Sequence, residues 1–438
     1  MAGGTFTAHN KVRPGAYINT RSETVSASGG AVSGIVTMPI VADYGPAKEV
    51  IEVNSGTNFN QLFGECLASE NLRLINEALK RAATVLVYRV NGGEKATGEI
   101  STGVTATARY EGKIGNDIRV AVRANINSPD AFDVLTYLGS NLVDSQEGLV
   151  NASELEDNPW LTFSGEGALQ TAAGVNLEGG GTNDATSGDY SDYMEAIATH
   201  EFNTMAITVD EETTKIAAVN FIKRMRDDEG MKCQAVVGGY AADHEGTINV
   251  TNGVVLSTGI TLSPAEATAF VAGATASAAV NESLTYAPYD GAVDVSPRLT
   301  HNETVEALKG GELVFTLDKD RVVIEQDINS LTTFTTSKNQ DFRKNRVLRV
   351  LDYVANDSKG VFLRNFIGSV DNNADGRSLF LANRIRASEY LQSINAIEDF
   401  EPSDLTVFKG EGKDAVIFGA HYKPVDAMEK LYQENRVH

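Results

Sequence analysis

The sequence predicts an α/β core, a mixed sheet with flanking helices and a C-terminal helical hairpin, that carries an inserted all-β domain and extended N- and C-terminal arms. Three observations carry that reading. Buried-strand runs alternate with amphipathic helical stripes on either side of a central segment. Within that segment, from Thr97 to about Gly180, period-two alternation replaces helical periodicity. Each end of the chain carries a stretch with no companion element beside it.

The first stretch is Asn10–Asn19. Pro14 cannot continue a helix and pushes Arg13 toward extended geometry. Ala16 and Ile18 fall on one side of a strand and Tyr17 on the other. The Gly- and Ser-rich run Ser22–Gly30 separates it from the first core element. A lone strand carries unpaired N–H and C=O groups and needs a partner, here expected to be a second copy of the chain. The competing expectation is a disordered terminus.

Ile35–Ala42 reads as a buried strand ended by Tyr44-Gly45-Pro46. Asn71–Ala83 follows as a helix with Leu72, Ile75 and Leu79 on one stripe, then Val85–Val90 as a second strand. This β-α-β order predicts a parallel pair. In the central segment Ala106, Ala108 and Tyr110 alternate, then Ile118, Val120 and Val122, with Gly112, Gly115 and Asn116 as the turn between them. Leu177–Thr182 closes the insertion.

The α/β rhythm then resumes: helix Tyr190–Thr199, strand Met205–Val209, helix Thr213–Asp228 with Ile216, Val219, Phe221 and Ile222 inward, and strand Ala235–Gly238. Val254–Leu256 precedes an Ala-rich helix, Pro264–Ala279, with Pro near its start. Leu313–Leu317 and Arg321–Glu325 form a hairpin around Asp318-Lys319-Asp320. Phe342–Val370 is the longest helical stretch, striped by Val347, Val350, Leu351, Val354, Phe362 and Phe366. The polar turn Asp371–Gly376 leads to a helix from Ser378 to about Ile397, and so short a link predicts antiparallel packing. Ala415–Tyr422 is a last strand, followed by a tail with no compensating element. The expected division is an arm at 1–22, core at 23–95, inserted β domain at 96–185, core again at 186–425 and a second arm at 426–438.

Composition is ordinary for a globular protein of 438 residues, at 42% hydrophobic and 22% charged. No apolar run approaches the roughly 18–20 residues of a membrane span, and the first residues do not form a signal peptide, so synthesis in a cytoplasm is expected. Cys66 and Cys233 form no metal box, and both read as buried thiols. The net charge of −22 argues against nucleic acid or an anionic membrane as partner. The acid excess concentrates between Thr97 and His200, with 16 acids and 4 bases, which predicts a solvated, outward-facing insertion.

Motifs for catalysis are absent or broken. Asp371, Asn373, Asp375 and Gly376 open like a calcium loop, but its twelfth position is Ala382, so an Asx-rich helix cap is expected. Gly410-Glu411-Gly412-Lys413 lacks phosphate-loop spacing, and Asp414 follows the Lys, so it reads as a turn. The six histidines share no metal-ligand spacing, and no Ser sits in a nucleophile elbow. No catalytic residue, cofactor or metal is expected. Lys338, Arg343, Lys344, Arg346 and Arg349 against Asp341 make a local basic cluster, either a solvated helix face or a docking surface.

Several segments together resemble the contractile tail sheath proteins of myophages and phage-tail-like bacteriocins, of the type found in defective Bacillus-like prophages. They are Lys11–Ile18, Tyr110–Val120, Leu177–Thr182 with Asp189-Tyr190, and the specific block Val322–Asp352. The match covers nearly the whole chain in the family's order. One departure is the polar end Gln433–His438, where the family's C-terminal arm tends to be apolar and alternating.

The resemblance implies a structural subunit that polymerises as hexameric rings in a helical stack around an inner tail tube. It implies further contacts with baseplate and tail-terminator proteins, and contraction that drives the tube through a target cell envelope. Inter-subunit arms are expected at Val12, Pro14, Gly15, Tyr17 and Ile18, and at Met428, Leu431 and Tyr432. Arg343, Lys344 and Arg346 are expected to face the tube. The alternative is a cytoplasmic α/β nucleotide-binding enzyme with a β insertion.

Overall fold

Alternation of β-strand and helix builds a three-layer core around one seven-stranded sheet. The structure, a computed structural model of the chain, describes residues 3–4, 16–17 and 34–437. In chain order the elements used below are β1 (Ile35–Ile40), β2 (Val50–Val53), α1 (Arg73–Leu79) and β3 (Thr84–Arg89). The insertion adds β4 (Thr97–Ser101), β5 (Val104–Ala108), β6 (Ile118–Ala124), β7 (Phe132–Leu138), β8 (Asn141–Leu149), β9 (Leu161–Gly165) and β10 (Ala172–Asn176). Then follow α2 (Ser187–Ile197), β11 (Thr204–Ala206), α3 (Glu212–Asp227), β12 (Gln234–Gly238), β13 (Thr247–Val250), α4 (Pro264–Ser277) and β14 (Glu312–Leu313). The last are β15 (Phe315–Asp318), β16 (Arg321–Ile324), α5 (Asn345–Asn365), α6 (Ala374–Ser393), β17 (Leu405–Lys409) and β18 (Val416–Ala420).

The sheet order is β14-β13-β12-β11-β1-β3-β2. All neighbours are parallel except β2, which runs antiparallel to β3. Both faces are covered, which is why the strands read as continuous apolar runs. Val36, Met38, Val85, Val87 and Val236 pack with α1 and α4 on one face. Leu86, Tyr88, Met205, Ala235 and Val237 pack with α2 and α3 on the other. The Ala-rich α4 is small-sided because it lies close to its neighbours. A Cβ on Gly273 would meet the Ala78 carbonyl oxygen at 2.4 Å. Ser263 and Glu266 close its N-terminus reciprocally as a capping box, with Pro264 in the first turn.

The insertion is a β-sandwich. One sheet runs β8-β7-β6-β10 and the other β9-β5-β4, around Ile100, Ala106, Val120, Val134, Trp160 and Leu161. Gly112, Gly115 and Asn116 do not form a hairpin turn as the spacing suggested. A 3₁₀ segment, Lys113–Asp117, carries the chain from β5 in one sheet to β6 in the other. Gly93–Glu94 and Gly181–Thr182, the way in and the way out, pair antiparallel.

At the C-terminal end α5 and α6 touch in reversed order: Val350 shares a cluster with Leu391, Asp357 pairs with Arg384 at 2.7 Å, and Phe362 meets Phe380. The Asx-rich turn caps α6, with Asn373 Oδ1 accepting from the Gly376 N–H at 2.8 Å. Gly410–Lys413 is the turn of the β17–β18 hairpin.

Three further expectations are corrected. Ile216 is exposed, because the buried stripe of α3 runs through Lys215, Ala218, Phe221, Ile222 and Met225. Leu313 belongs to the central sheet, and the hairpin begins at Phe315. Cys66 is exposed, whereas Cys233 is buried and its thiol is pushed up to about 12 by desolvation.

Candidate assembly surface

The C-terminal tail leaves the fold in two steps. Its root is held by main chain: Glu398 N–H donates to the Lys423 carbonyl at 2.9 Å and Val425 N–H to the Ala396 carbonyl at 3.0 Å. Val425 makes the last main-chain hydrogen bond to the core among the described residues. Beyond it Met428, Leu431 and Tyr432, the expected arm residues, are 103%, 86% and 88% exposed. Each apolar side chain of that size gains about 1.5–3 kcal/mol on burial. A tail that leaves three of them in water exposes an apolar surface of the kind that marks contact sites.

At the other end of the chain Tyr17 lies in the strand Ala16–Tyr17, paired in parallel with Gly3–Gly4. The sequence offered no such partner within the chain. A pair of two residues is worth little, at about 1 kcal/mol per hydrogen bond. Val12, Pro14, Gly15 and Ile18 lie outside the described residues.

The β17–β18 hairpin presents a second apolar surface. It is a two-stranded sheet, and neither edge has a further strand among the described residues. Leu405 and Phe418 face the helices, and Phe418 meets the Phe380 ring edge-on at 5.4 Å. Phe408 and Ile417 sit directly opposite one another on the outer face, 59% and 55% exposed. Leu363, Ile367, Leu379 and Tyr390 are also exposed on α5, α6 and the chain just after α5. Among the described residues, ten of the nineteen exposed large hydrophobic side chains fall after residue 360. Exposed apolar side chains therefore concentrate in this one region.

The basic cluster is turned inward, contrary to a free docking face. Arg346 is buried, donating to the carbonyls of Asn281 (3.0 Å) and Asn395 (3.5 Å). Lys344 binds the carboxylate of Glu429 in the tail. Lys338 reaches Glu245 at 2.5 Å, and Arg349 reaches the Glu282 carbonyl and Asp327. The matching acids and carbonyls come from distant parts of the chain, so local counting saw only the bases. Arg343 differs: it is half-buried, its guanidinium is lowered by desolvation, and its Nε has no hydrogen-bond partner.

The catalytic alternative finds no support in the geometry. A cleft of about 240 Å³ is lined by Ile35, His200, Asn203, Met231 and Lys359, at the amino ends of β1, β11 and β12. Ligands of doubly wound sheets bind beyond the carboxyl ends. At the carboxyl ends of β1 and β3 the root of the sandwich is packed instead. Buried Arg89 donates to the carbonyls of Gly45 (2.7 Å) and Glu111 (3.0 Å), and Tyr44 stacks on Trp160 at 6.0 Å. Among the described residues no group of three His, Cys, Asp or Glu side chains is placed to hold a metal ion. No helix among them is long and apolar enough to cross a membrane.

Comparison with known proteins places these features in one family. Residues 33–90 match the N-terminal region of tail sheath domain III, residues 91–183 the phage tail sheath β-sandwich domain, residues 183–330 the sheath central domain and residues 337–438 the sheath C-terminal domain. The phage-like element PBSX protein XkdK of Bacillus subtilis is 39% identical, over 99% of each chain. The crystal structure of a sheath tail protein from Desulfitobacterium hafniense is 43% identical, with a TM-score of 0.84 over 97% of this chain and 100% of that one. The contracted helical sheath of the anti-feeding prophage shares the fold, with a TM-score of 0.57 at 13% identity, over 97% and 98% of the two chains.

Proposed function

The chain belongs to the phage tail sheath protein family, and from that premise we propose that it is the structural subunit of a contractile tail sheath. The observation that carries this is the concentration of uncovered strand edges and apolar side chains in the C-terminal region, beside a tail that leaves its own subunit. Subunits donate their arms to neighbours. Main-chain hydrogen bonds hold the donated strands, and alternate side chains set their register. The β17–β18 hairpin is the acceptor, because a two-stranded sheet is marginal alone and gains most from added strands. The contact is heterologous, which an open helical stack of hexameric rings requires.

Contraction follows if the cores repack into a wider, shorter array while the arms remain attached. No nucleotide is consumed, since the free energy resides in the metastable extended assembly. The chain divides on this reading into arms at 1–22 and 426–438, a core at 23–95 and 186–425, and an outward-facing β insertion at 96–185. The subunit is made in a bacterial cytoplasm and assembles there around an inner tail tube, with baseplate and terminator proteins at its ends. Of the three cations expected to face the tube, Arg343 carries the proposal, because Lys344 and Arg346 are committed inside the subunit. Arg343→Glu should weaken co-sedimentation with the tube protein at low salt, and unchanged co-sedimentation overturns that contact.

The deciding experiment is negative-stain microscopy of the overexpressed chain, intact and without Met1–Thr20. Tubes or stacked rings from the intact chain, lost on deletion, support the reading. Compact single particles at high concentration, or long polymers that survive the deletion, count against it.

A further inference from the structure

One side chain of the exposed tail behaves unlike its neighbours. Glu429 is 11% exposed, between Met428 and Leu431, which are almost fully exposed. Its carboxylate accepts hydrogen bonds from Gln326 Nε2 at 2.6 Å, from Thr285 Oγ1 at 2.9 Å and from Lys344 Nζ. Burial alone raises its pKa, and the three donors more than offset this, so the group is held below its ordinary value.

The socket is itself cross-linked by hydrogen bonds. Thr285 Oγ1, which donates to Glu429, accepts from the Asp327 N–H at 3.0 Å. Asp327 is buried and accepts from Leu284 N–H at 3.0 Å and from Asn345 Nδ2 at 2.9 Å. Lys344 is the N-cap residue of α5 and also lies 3.6 Å from Asp426. Three separate segments of the core thus converge on one carboxylate of a tail whose large apolar side chains lie in water.

We propose that Glu429, seated among Thr285, Gln326 and Lys344, is a latch that sets the length of the donated C-terminal arm. The inference rests on the strand-donation reading above. With the latch engaged, the free arm begins at Lys430, and the nine residues to His438 span about 30 Å when extended. With it open, the arm begins after Val425, the last residue tied by main chain, and the thirteen residues to His438 span about 43 Å when extended. The same strand can then stay paired to a neighbour across two different subunit spacings.

The test places a nitroxide at Met428→Cys in the full chain, with exposed Cys66 changed to Ser. In the otherwise native chain the label should report a restrained backbone. Glu429→Ala should raise the ratio of mobile to restrained label about tenfold or more, as loss of a charge-assisted bonding set requires. Glu429→Gln keeps an amide oxygen that can accept from these donors but removes the charge, and should give a ratio between those of the native chain and Glu429→Ala. Equal mobility with and without Glu429, or a Glu429→Gln label as mobile as that of Glu429→Ala, overturns the latch. A chain ending at Glu429 separates this from the premise. It should keep the restrained spectrum and lose polymerisation. Undiminished polymerisation by that chain overturns strand donation, and with it the arm-length role, whatever the spectra show.

Discussion

Arg226 donates to both carboxylate oxygens of Asp352, at 2.7 and 2.8 Å, and this pair clamps α3 of the central core to α5 of the C-terminal region. Arg226 is buried and also donates to the Cys233 carbonyl at 2.9 Å. The two halves of the subunit are therefore joined through a desolvated charge. Removing Asp352 alone strands that charge, so Asp352→Ala should lower stability by about 3–5 kcal/mol. Arg226→Met with Asp352→Leu should recover most of the loss. Urea midpoints of the soluble subunit check both, and a single variant no less stable than the double one would contradict the account.

The insertion is hung on a pair of two-residue strands whose closeness depends on Gly93. A Cβ there would meet the carbonyl oxygen of Gly181 at 1.9 Å, next to Thr182, with which Gly93 is in register. The Glu111 carboxylate also accepts from the Gly93 N–H at 2.8 Å. Gly93→Ala should force the strands apart and cost about 1–3 kcal/mol. Limited proteolysis should then cut near 91–96 and 178–184 while the core and the sandwich each survive.

Much of this fold was legible in the chain because burial on both faces leaves a plain signature. Val36, Met38, Val85 and Val87 stand in apolar runs that read as strands. What escaped was short or paired at a distance. Val50–Val53 is four residues with a Glu in the middle, and Leu405–Lys409 is a strand only because Val416–Ala420 lies against it. Met428, Leu431 and Tyr432, which the family resemblance pointed to as arm residues, are exposed apolar positions in the C-terminal tail. Glu429 was not legible, because a carboxylate on a polar tail gives no local hint that Thr285, Gln326 and Lys344 converge on it. The same blindness made Arg346 look like surface charge.

His244 should give the subunit an acid-sensitive stability. Desolvation lowers its pKa from 6.5 to about 4; Arg226, Lys223 and Lys338 act in the same direction, and Glu245 only partly opposes them. Its Nδ1 accepts from the Gly246 N–H at 3.0 Å, which requires the neutral ring. The unfolded chain takes up this proton near pH 6.5 and the folded one only near 4, so stability falls as pH drops through that window. His244→Asn keeps an acceptor for Gly246 and should flatten the slope of urea midpoint against pH between 6.5 and 4. An unchanged slope would assign the sensitivity to other groups.

Phe408 and Ile417 distinguish an acceptor sheet from an ordinary surface hairpin. They face each other across β17 and β18 and turn away from the helices, so neither supports the subunit's own core. Replacing an exposed side chain of this kind changes stability by about 0.5 kcal/mol or less. In a completed sheet the same pair would lie under neighbouring strands, where a charge is desolvated and costs several kcal/mol. Phe408→Asp and Ile417→Asp should therefore leave the urea midpoint of the soluble subunit where it was and sharply reduce polymer yield by sedimentation. A loss of stability would mean that the pair belongs to the core. Normal polymers with a carboxylate at either position would place the acceptor edge elsewhere on the subunit.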